Sequence, residues 1–423
     1  MNYSNFGQKF TGKSGIVELM DDLGSALNEN PDMLFMGGGN PGRVPEVEAY
    51  FEEQLSAIVK DPVARHSLLG IYQSPQGEKG FREQLANYLA KEFNWAVSDK
   101  NIAVSNGSQS AFFILYNMLA GTMPNGDKKT IHFPLAPEYI GYADAGLSDE
   151  FFSSTKPSIE IIDDDTFKYH VDFSKLSIDN SMAALSVSRP TNPTGNVITD
   201  DEIVHLDKLA KEAGIPLIID GAYGLPFPNI LFTDAKPYWN ENTIVVLSLS
   251  KLGLPGIRTG IVIANEKFIK DFTNANIITN LSCGNLGPAL SKNLFNNNDI
   301  QGLTNHVKAF YQQKAEKTVE LLKHNLADVP FKIHKPEGAI FLWVWFEGLP
   351  IHSKALYQRL KAKGVLVIPG EDFFIGIDDS WQHKYECIRI SYAQDDIVVE
   401  QGVKIIADEV RAVYQEQLEL AQV

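Results

Sequence analysis

Two residues at the ends of apolar segments carry the strongest chemical signal in this chain. Lys251 follows the apolar residues 243–250 and precedes a glycine-rich stretch that contains Arg258. Asp220 ends a second apolar segment, residues 215–219. A lysine amine forms a Schiff base at neutral pH only where its surroundings lower its pKa or hold it as an imine. A lysine and an acid in this arrangement therefore indicate covalent chemistry on a carbonyl group.

The pair of a lysine and an acid suits one cofactor in particular, pyridoxal 5'-phosphate. An acid that pairs with the pyridinium nitrogen and a lysine that forms the imine are the two protein groups that this cofactor needs most. Tyr223 could bind the phenolic oxygen of the ring, although a core aromatic residue is the alternative. For Asp220 the alternative is a turn or a helix cap. We favour ligand binding, because ligands bind at the carboxyl ends of strands in parallel sheets.

A phosphate site is indicated by the segment 106–110, which joins an apolar strand to the helical residues 111–120. A glycine turn at a helix N-terminus exposes backbone N–H groups and the positive end of the helix dipole. The alternative is an ordinary helix start in which Ser108 caps its own helix. Ser248, Ser250 and Arg258 could close the other side of the phosphate.

The segment 188–195 contains two prolines and a glycine, which predict a rigid turn at a strand end. Asn192 lies inside this turn, and its amide can donate to a phenolate or a carboxylate. Tyr139 follows another strand and could stack on a planar ring, with a packed loop tyrosine as the equal alternative.

Two further segments could bind an anionic substrate. Arg389 lies within an apolar strand pattern, where its two-pronged guanidinium suits a carboxylate. The alternative is an internal salt bridge. Residues 37–39 are three glycines whose backbone N–H groups could approach an anion, or which could form a flexible linker.

The elements that must position these residues alternate between strands and helices over residues 100–265. A Thr199–Glu202 capping box predicts a crossover helix that Gly214 ends. Short segments that are apolar on both faces and separated by helices indicate a mostly parallel sheet covered on both sides. The predicted strands lie at 102–105, 130–133, 182–187, 217–219, 244–247 and 261–263.

The pattern changes after about residue 310, where the strands 340–346 and 387–391 mix with helices near 354–363 and 396–418. We therefore predict three segments. Residues 1–45 form an N-terminal arm that joins the small domain, residues 46–310 form the large cofactor-binding domain, and residues 311–423 form a small α+β domain.

The composition argues against several classes of partner. The 423 residues include 37 Lys and Arg against 53 Asp and Glu, a net charge of −16. An acidic chain disfavours nucleic acid and anionic membranes as partners. The two cysteines and nine histidines show no metal-ligand spacing. With no basic and apolar leader at the N-terminus, we expect a cytoplasmic protein without a metal.

Together these motifs, in this order, resemble the aminotransferases among the fold type I pyridoxal-phosphate enzymes. The resemblance implies an α/β fold, with a large domain whose mostly parallel seven-stranded sheet lies between helices and a smaller α+β domain. It covers nearly the whole chain and is carried by residues 15–16, 37–41, 72–77, 106–113, 133–142, 188–200, 219–228, 248–260 and 335–343.

The resemblance also implies a role for each candidate residue. Lys251 would carry the cofactor and move the proton, with Asp220 on the ring nitrogen. Tyr223 and Asn192 would bind the ring oxygen. The homodimer would share its active sites, because Tyr72 resembles a tyrosine that reaches the phosphate of the neighbouring subunit. The remaining expected contacts are Tyr139 stacked on the ring, Ser108, Gln109, Ser248 and Arg258 around the phosphate, and Arg389 with Asn192 and Gly39 on the substrate carboxylate.

The implied reaction is a two-step amino transfer, with L-valine and pyruvate as the expected pair. The sequence offers no evident second charged residue for a side-chain carboxylate, which fits small apolar amino acids. The alternatives are a transaminase for other apolar or aromatic amino acids and a carbon–sulfur lyase. A more distant alternative is a cofactor-binding transcriptional regulator, which would need a DNA-binding domain before residue 40.

Overall fold

The structure is a computed structural model that describes residues 2–12, 15–296, 299–377 and 380–420. The helices in these residues are α1 Asn5–Thr11, α2 Gly15–Glu29, α3 Pro45–Lys60, α4 Pro62–Gly70, α5 Lys79–Phe93, α6 Ser108–Leu119, α7 Asp200–Glu212, α8 Glu266–Asn280, α9 Leu286–Asn296, α10 Asp299–Asn325, α11 Ser353–Ala362 and α12 Asp396–Leu420. The strands are β1 Leu34–Phe35, β2 Ile102–Ser105, β3 Gly121–Thr122, β4 Lys128–Phe133, β5 Phe152–Ser154, β6 Ser158–Ile161, β7 Thr166–His170, β8 Met182–Ser188, β9 Leu217–Asp220, β10 Thr243–Ser248, β11 Gly260–Ile263, β12 Phe331–His334, β13 Phe341–Phe346, β14 Val365–Leu366, β15 Ile368–Pro369 and β16 Cys387–Ser391.

The larger sheet confirms the predicted mostly parallel architecture. Its strand order is β2-β11-β10-β9-β8-β4-β3, with β5 also paired to β4. Strands β5, β4, β8, β9 and β10 run parallel, whereas β11 is antiparallel to both of its neighbours. The described sheet has eight strands rather than the seven predicted, and one of them is the two-residue β3.

Alternate residues of each central strand pack on opposite faces of this sheet. In β10, Ile244 and Val246 belong to the apolar cluster that includes residues of α6 and α8. Val245 and Leu247 belong to the other cluster, which contains Ile203 of α7. Burial on both faces explains why the strands read as continuous apolar segments.

Helix α7 begins with the predicted capping box. Thr199 Oγ1 accepts from the Glu202 N–H at 3.2 Å, and Glu202 Oε2 accepts from the Thr199 N–H at 2.8 Å. Gly214, with φ of 68°, lies just beyond the helix, in a conformation that favours glycine. The helix connects β8 to its parallel neighbour β9, which confirms the predicted crossover unit.

A second sheet has the order β15-β16-β13-β12-β7-β6. Strands β6 and β7 come from the middle of the chain, and β7 pairs in parallel with β12. Near the N-terminus, β1 pairs with β14, joining Leu34 to Val365. The division at residues 45 and 310 stays a prediction, and any division has to place β6 and β7 with the second sheet.

The carboxyl ends of β8, β9 and β10 lie side by side. Ser188 is opposite Asp220, and Asp220 is opposite Val246, two residues before the end of β10. The antiparallel β11 begins at the same edge, where Gly260 pairs with both Ser248 and Ser105. The loops that follow these strands therefore meet at one edge of the sheet, as expected for a ligand site in an open α/β sheet.

Candidate active site

A cavity of ≈ 490 Å³ opens at this edge of the sheet. It brings together every candidate residue from the sequence except Tyr72. The lining includes Gly39, Ser108, Gln109, Tyr139, Asn192, Asp220, Tyr223, Ser248, Lys251, Arg258 and Arg389.

Lys251 lies in a single helical turn immediately after β10, and its side chain enters the cavity. Its Nζ donates to the carbonyl oxygen of Gly39 and lies 5.2 Å from the centre of the Tyr223 ring. Burial, reinforced by the charges of Arg389 and Arg258, lowers the pKa of Lys251 to about 8. A lowered pKa gives the amine a larger neutral fraction near neutral pH, which a nucleophile requires.

Asp220 is held at the end of β9 by two donors. The Tyr142 hydroxyl donates to Oδ2, and the Ala222 N–H donates to Oδ1 at 2.8 Å. Burial raises the pKa of Asp220, while these hydrogen bonds and the charge of Lys251 act in the opposite direction. A carboxylate fixed in this way is suited to a cationic ring nitrogen, which would add a further favourable charge.

The residue after Asp220 is a glycine at a point where the neighbouring strand comes close. A Cβ on Gly221 would lie 2.8 Å from Cδ2 of Leu247 on the neighbouring strand. The glycine thus lets the strand end of Asp220 pack directly against β10.

An anion cradle forms where α6 meets Arg258. The N-cap of α6 is Gly107, with φ of 93°, so Ser108 is the first helical residue and does not cap its own helix. A Cβ on Gly107 would lie 2.5 Å from Nη2 of Arg258, and one on Gly260 would lie 2.6 Å from the Ser108 nitrogen. The glycines thereby let a guanidinium approach the free N–H groups of a helix start, as a phosphate site requires.

Two other predicted phosphate contacts have protein partners. Ser248 Oγ accepts from the Ser250 N–H at 3.1 Å. Gln109 Nε2 donates to the carbonyl oxygen of Gly141 at 2.7 Å, which ties α6 to the loop that carries Tyr139. Both side chains still line the cavity.

Two tyrosine rings line the cavity, those of Tyr139 and Tyr223. Tyr139 packs edge-on against Tyr142 with ring centres 5.1 Å apart. A Cβ on Gly141 would overlap the Tyr139 ring at 2.3 Å, so this glycine is needed for the ring position. Tyr223 is buried and lies edge-on to Phe341, with ring centres 5.9 Å apart.

Arg389 is a buried cation whose protein partners are uncharged. Its Nη1 donates to Asn192 Oδ1 and its Nη2 to the Gly37 carbonyl oxygen, both at 2.7 Å. Its Cζ lies 4.0 Å from the centre of the Phe341 ring. Nε is buried without a partner in the described part of the chain. This arrangement differs from the internal salt bridge that was the alternative, and it leaves the charge available to a ligand carboxylate.

Tyr72 lies apart from the cavity. It is 83% exposed, precedes α5 and is not among the residues that line the cavity. Sequence reasoning also left out two supporting residues, Tyr142 and Glu138. Their only sequence signal is that both fall in the segment 133–142, beside Tyr139.

Two kinds of feature are absent from the described residues. No group of three or more metal-binding side chains lies together in residues 2–12, 15–296, 299–377 and 380–420. Across the same ranges, no helix is both long and apolar enough to cross a bilayer.

The geometry and the comparisons with known proteins define the class. Residues 47–406 match the family model for aminotransferase class I and II. The chain belongs to this family of pyridoxal-phosphate-dependent fold type I aminotransferases.

Individual relatives cover almost the whole chain. The valine–pyruvate aminotransferase of Escherichia coli K12 is 49% identical over 417 residues, which are 98% of this chain and 100% of that protein. A crystal structure from Psychrobacter arcticum 273-4, provisionally assigned as an amino-acid aminotransferase, superposes with a TM-score of 0.95 at 44% identity, covering 98% and 99% of the two chains. The valine–pyruvate aminotransferase structure from Salmonella typhimurium LT2 gives 0.88 at 45% identity, covering 95% and 100%.

The residues present fit pyridoxal phosphate. The groups that meet in the cavity are an amine with a lowered pKa, a carboxylate held by two donors, and a helix start beside an arginine. These match the aldehyde, the ring nitrogen and the phosphate of the cofactor.

Proposed function

We propose that this protein transfers the amino group of L-valine to pyruvate, giving 3-methyl-2-oxobutanoate and L-alanine in a ping-pong reaction. The observation that carries the proposal is the distribution of charge in the cavity. Its charged lining residues, within the described part of the chain, are Asp220, Lys251, Arg258 and Arg389. The first three suit the cofactor, which leaves one arginine for one substrate carboxylate.

The rest of the wall is suited to a small apolar side chain. Met20, Leu23, Phe35, Ile140 and Ile368 line the same cavity. A second carboxylate, as in aspartate or glutamate, would lack a second cationic partner there, and burying an unpaired charge is costly. The two valine–pyruvate aminotransferases, at 49% and 45% identity, support the same assignment.

Each predicted site residue has a proposed task in this reaction. When bound, the cofactor supplies the electron sink for the carbanion at Cα. Lys251 carries the aldehyde carbon and moves the Cα proton, while Asp220 keeps the ring nitrogen protonated. The ring is held by Tyr139, Tyr223 and Asn192, the phosphate by Ser108, Gln109, Ser248 and Arg258, and the substrate carboxylate by Arg389, Asn192 and Gly39.

We further propose a cytoplasmic homodimer in which Tyr72 completes the site of the partner subunit. Tyr72 is 83% exposed, and Val63, Leu69 and Ile71, which precede it in sequence by at most nine residues, are also exposed. Several large apolar side chains left exposed in one segment favour contact with another chain. Both cysteines are unpaired and buried, which suits a reducing compartment.

Substrate profiling of the purified protein tests the reaction. Valine with pyruvate should give 3-methyl-2-oxobutanoate and alanine in equal amounts, and double-reciprocal plots should be parallel. Phenylalanine and leucine test the broader transaminase, and cystathionine tests the carbon–sulfur lyase, which would release homocysteine, pyruvate and ammonia. A protein that binds the cofactor but turns over none of these would favour a regulator. Aspartate turned over faster than valine would contradict the proposed specificity.

A further inference from the structure

Glu138 is a buried acid that the reaction proposed above does not use. It is 1% exposed and immediately precedes the ring-stacking Tyr139. Its carboxyl group accepts from the Ser188 N–H at 2.8 Å, the Ser188 hydroxyl at 2.6 Å and the Tyr139 N–H at 3.2 Å. These donors are all uncharged. A carboxyl group buried among neutral donors is costly as an anion, so its position calls for a reason.

The contacts of Glu138 reach the supports of several site residues. Ser188 lines the cavity and lies opposite Asp220 on the neighbouring strand. The Glu138 N–H donates to the carbonyl oxygen of Phe373 at 2.9 Å. The Phe373 ring centre in turn lies 5.3 Å from Cζ of Arg389. The side chain of Glu138 thus contacts Tyr139 and Ser188. Its backbone N–H contacts Phe373, the aromatic residue beside Arg389.

Three titratable groups that are negative when ionised interact electrostatically with Glu138. They are Asp220 at the end of β9, Tyr116 on α6 and Tyr142 after the Tyr139 loop. Burial raises the pKa of Glu138 to about 8, with the charge of Asp220 acting in the same direction and the three hydrogen bonds opposing it. The acid is therefore largely neutral at pH 7 and becomes an anion as the pH rises through about 8.

We propose that Glu138 is a positioning residue for the cofactor ring, because it holds Tyr139 and the Ser188 strand end in place against Asp220. The proposal rests on Asp220 and Tyr139 as the ring-binding residues assigned above. At alkaline pH the ionised Glu138 also places a negative charge beside Asp220, which favours the positively charged form of the bound cofactor.

Two variants separate the effect of the Glu138 hydrogen bonds from the effect of its charge. Glu138→Ala removes every acceptor, so the apoprotein should bind pyridoxal phosphate about tenfold more weakly, with a smaller visible circular dichroism signal. Glu138→Gln keeps an acceptor and the side-chain volume, so its Kd should stay within about threefold of wild type. Because it cannot ionise, the pH midpoint of the bound-cofactor absorbance should fall by about half a unit or more.

Glu409→Gln is the matched control. Glu409 is also 1% exposed, but it pairs with Arg359 and Lys363 outside the cavity lining. This variant should leave both the Kd and the pH midpoint unchanged, even if it lowers the melting temperature.

A wild-type pH midpoint in Glu138→Gln would refute the effect of the Glu138 charge on the cofactor, and a loss of cofactor affinity in Glu138→Gln as large as that in Glu138→Ala would overturn the hydrogen-bonding role. If Glu138→Ala folds, a wild-type Kd and dichroism in that variant would overturn it as well. Wild-type protein that binds no pyridoxal phosphate would refute the proposed function itself, before any variant is compared. Wild-type protein that binds the cofactor but prefers a substrate other than valine would leave the Glu138 comparison valid.

Discussion

Replacing Arg389 by lysine keeps the positive charge but removes the planar guanidinium. The two hydrogen bonds to Asn192 and Gly37, both 2.7 Å long, fix the orientation of that group. A lysine ammonium cannot make both of these contacts and also meet a carboxylate with two parallel N–H groups. Arg389→Lys should therefore weaken the recognition of both the amino acid and the 2-oxo acid.

The expected loss follows from the number of contacts removed. Losing one charge-assisted hydrogen bond to the substrate carboxylate costs roughly 1.5–3 kcal/mol. This range corresponds to a fall of about 10- to 150-fold in kcat/KM for valine and for pyruvate. The cofactor contacts are made by other side chains, so the Kd for pyridoxal phosphate should stay within about threefold.

The assay is steady-state kinetics with both substrates, beside a titration of the apoprotein with pyridoxal phosphate. Arg411→Lys is a matched control, because Arg411 bonds Asp328 on the surface and does not line the cavity. A folded Arg389→Lys protein with wild-type kcat/KM for both substrates would show that the guanidinium only supports the strand. A loss of cofactor binding equal to the loss of kcat/KM would also refute the assignment to the substrate.

Four further outcomes follow from the site. Lys251→Ala should lose all turnover. Wild-type apoprotein should capture pyridoxal phosphate faster as the pH rises towards about 8, because the Lys251 amine loses its proton there. A stopped-flow midpoint near the ordinary lysine pKa of about 10.4 would contradict this pH dependence. Gly107→Ala should raise the Kd for pyridoxal phosphate roughly tenfold, because the added methyl group strains the backbone and displaces Arg258. The Kd for pyridoxal, which has no phosphate, should rise less. Gly126→Ala is the control for backbone strain alone, because Gly126 has a φ of 89° and open space around it. Tyr72→Ala mixed with Lys251→Ala should recover about a quarter of wild-type activity after random subunit exchange, and no recovery despite demonstrated exchange would exclude a shared site.

The parts of the fold that could be predicted are those whose burial is uniform. Strands β8 and β10 are buried at every position, so their apolar sequences predict them directly. Strand β7 reads Thr-Phe-Lys-Tyr-His and gives no such signal. Its Lys168 is buried because it forms an ion pair with Glu337, which is 169 residues away in sequence. A partner at that distance cannot be inferred from the local pattern.

The site shows the same limit. Residues that end strands of one parallel sheet must meet at its edge, so the sequence could indicate that Asp220 and Lys251 lie close together. Tyr142 and Glu138 act through hydrogen bonds to residues 78 and 50 positions away, and their spacing from Tyr139 does not reveal those bonds. The role proposed for Tyr72 needs a second subunit, so a single chain cannot show the contact.

The charges in the cavity explain why this site needs its ligands. Lys251, Arg258 and Arg389 bring three cations to a lining whose described residues include one carboxylate, Asp220. Burial and the neighbouring guanidinium groups together lower the pKa of Lys251 to about 8, so the amine gives up its proton, and with it part of this repulsion, at a lower pH than an ordinary lysine. A phosphate beside Arg258 and a carboxylate beside Arg389 would supply the missing negative charge. Ligand binding therefore both assembles the reactants and removes an electrostatic cost that the fold carries without them.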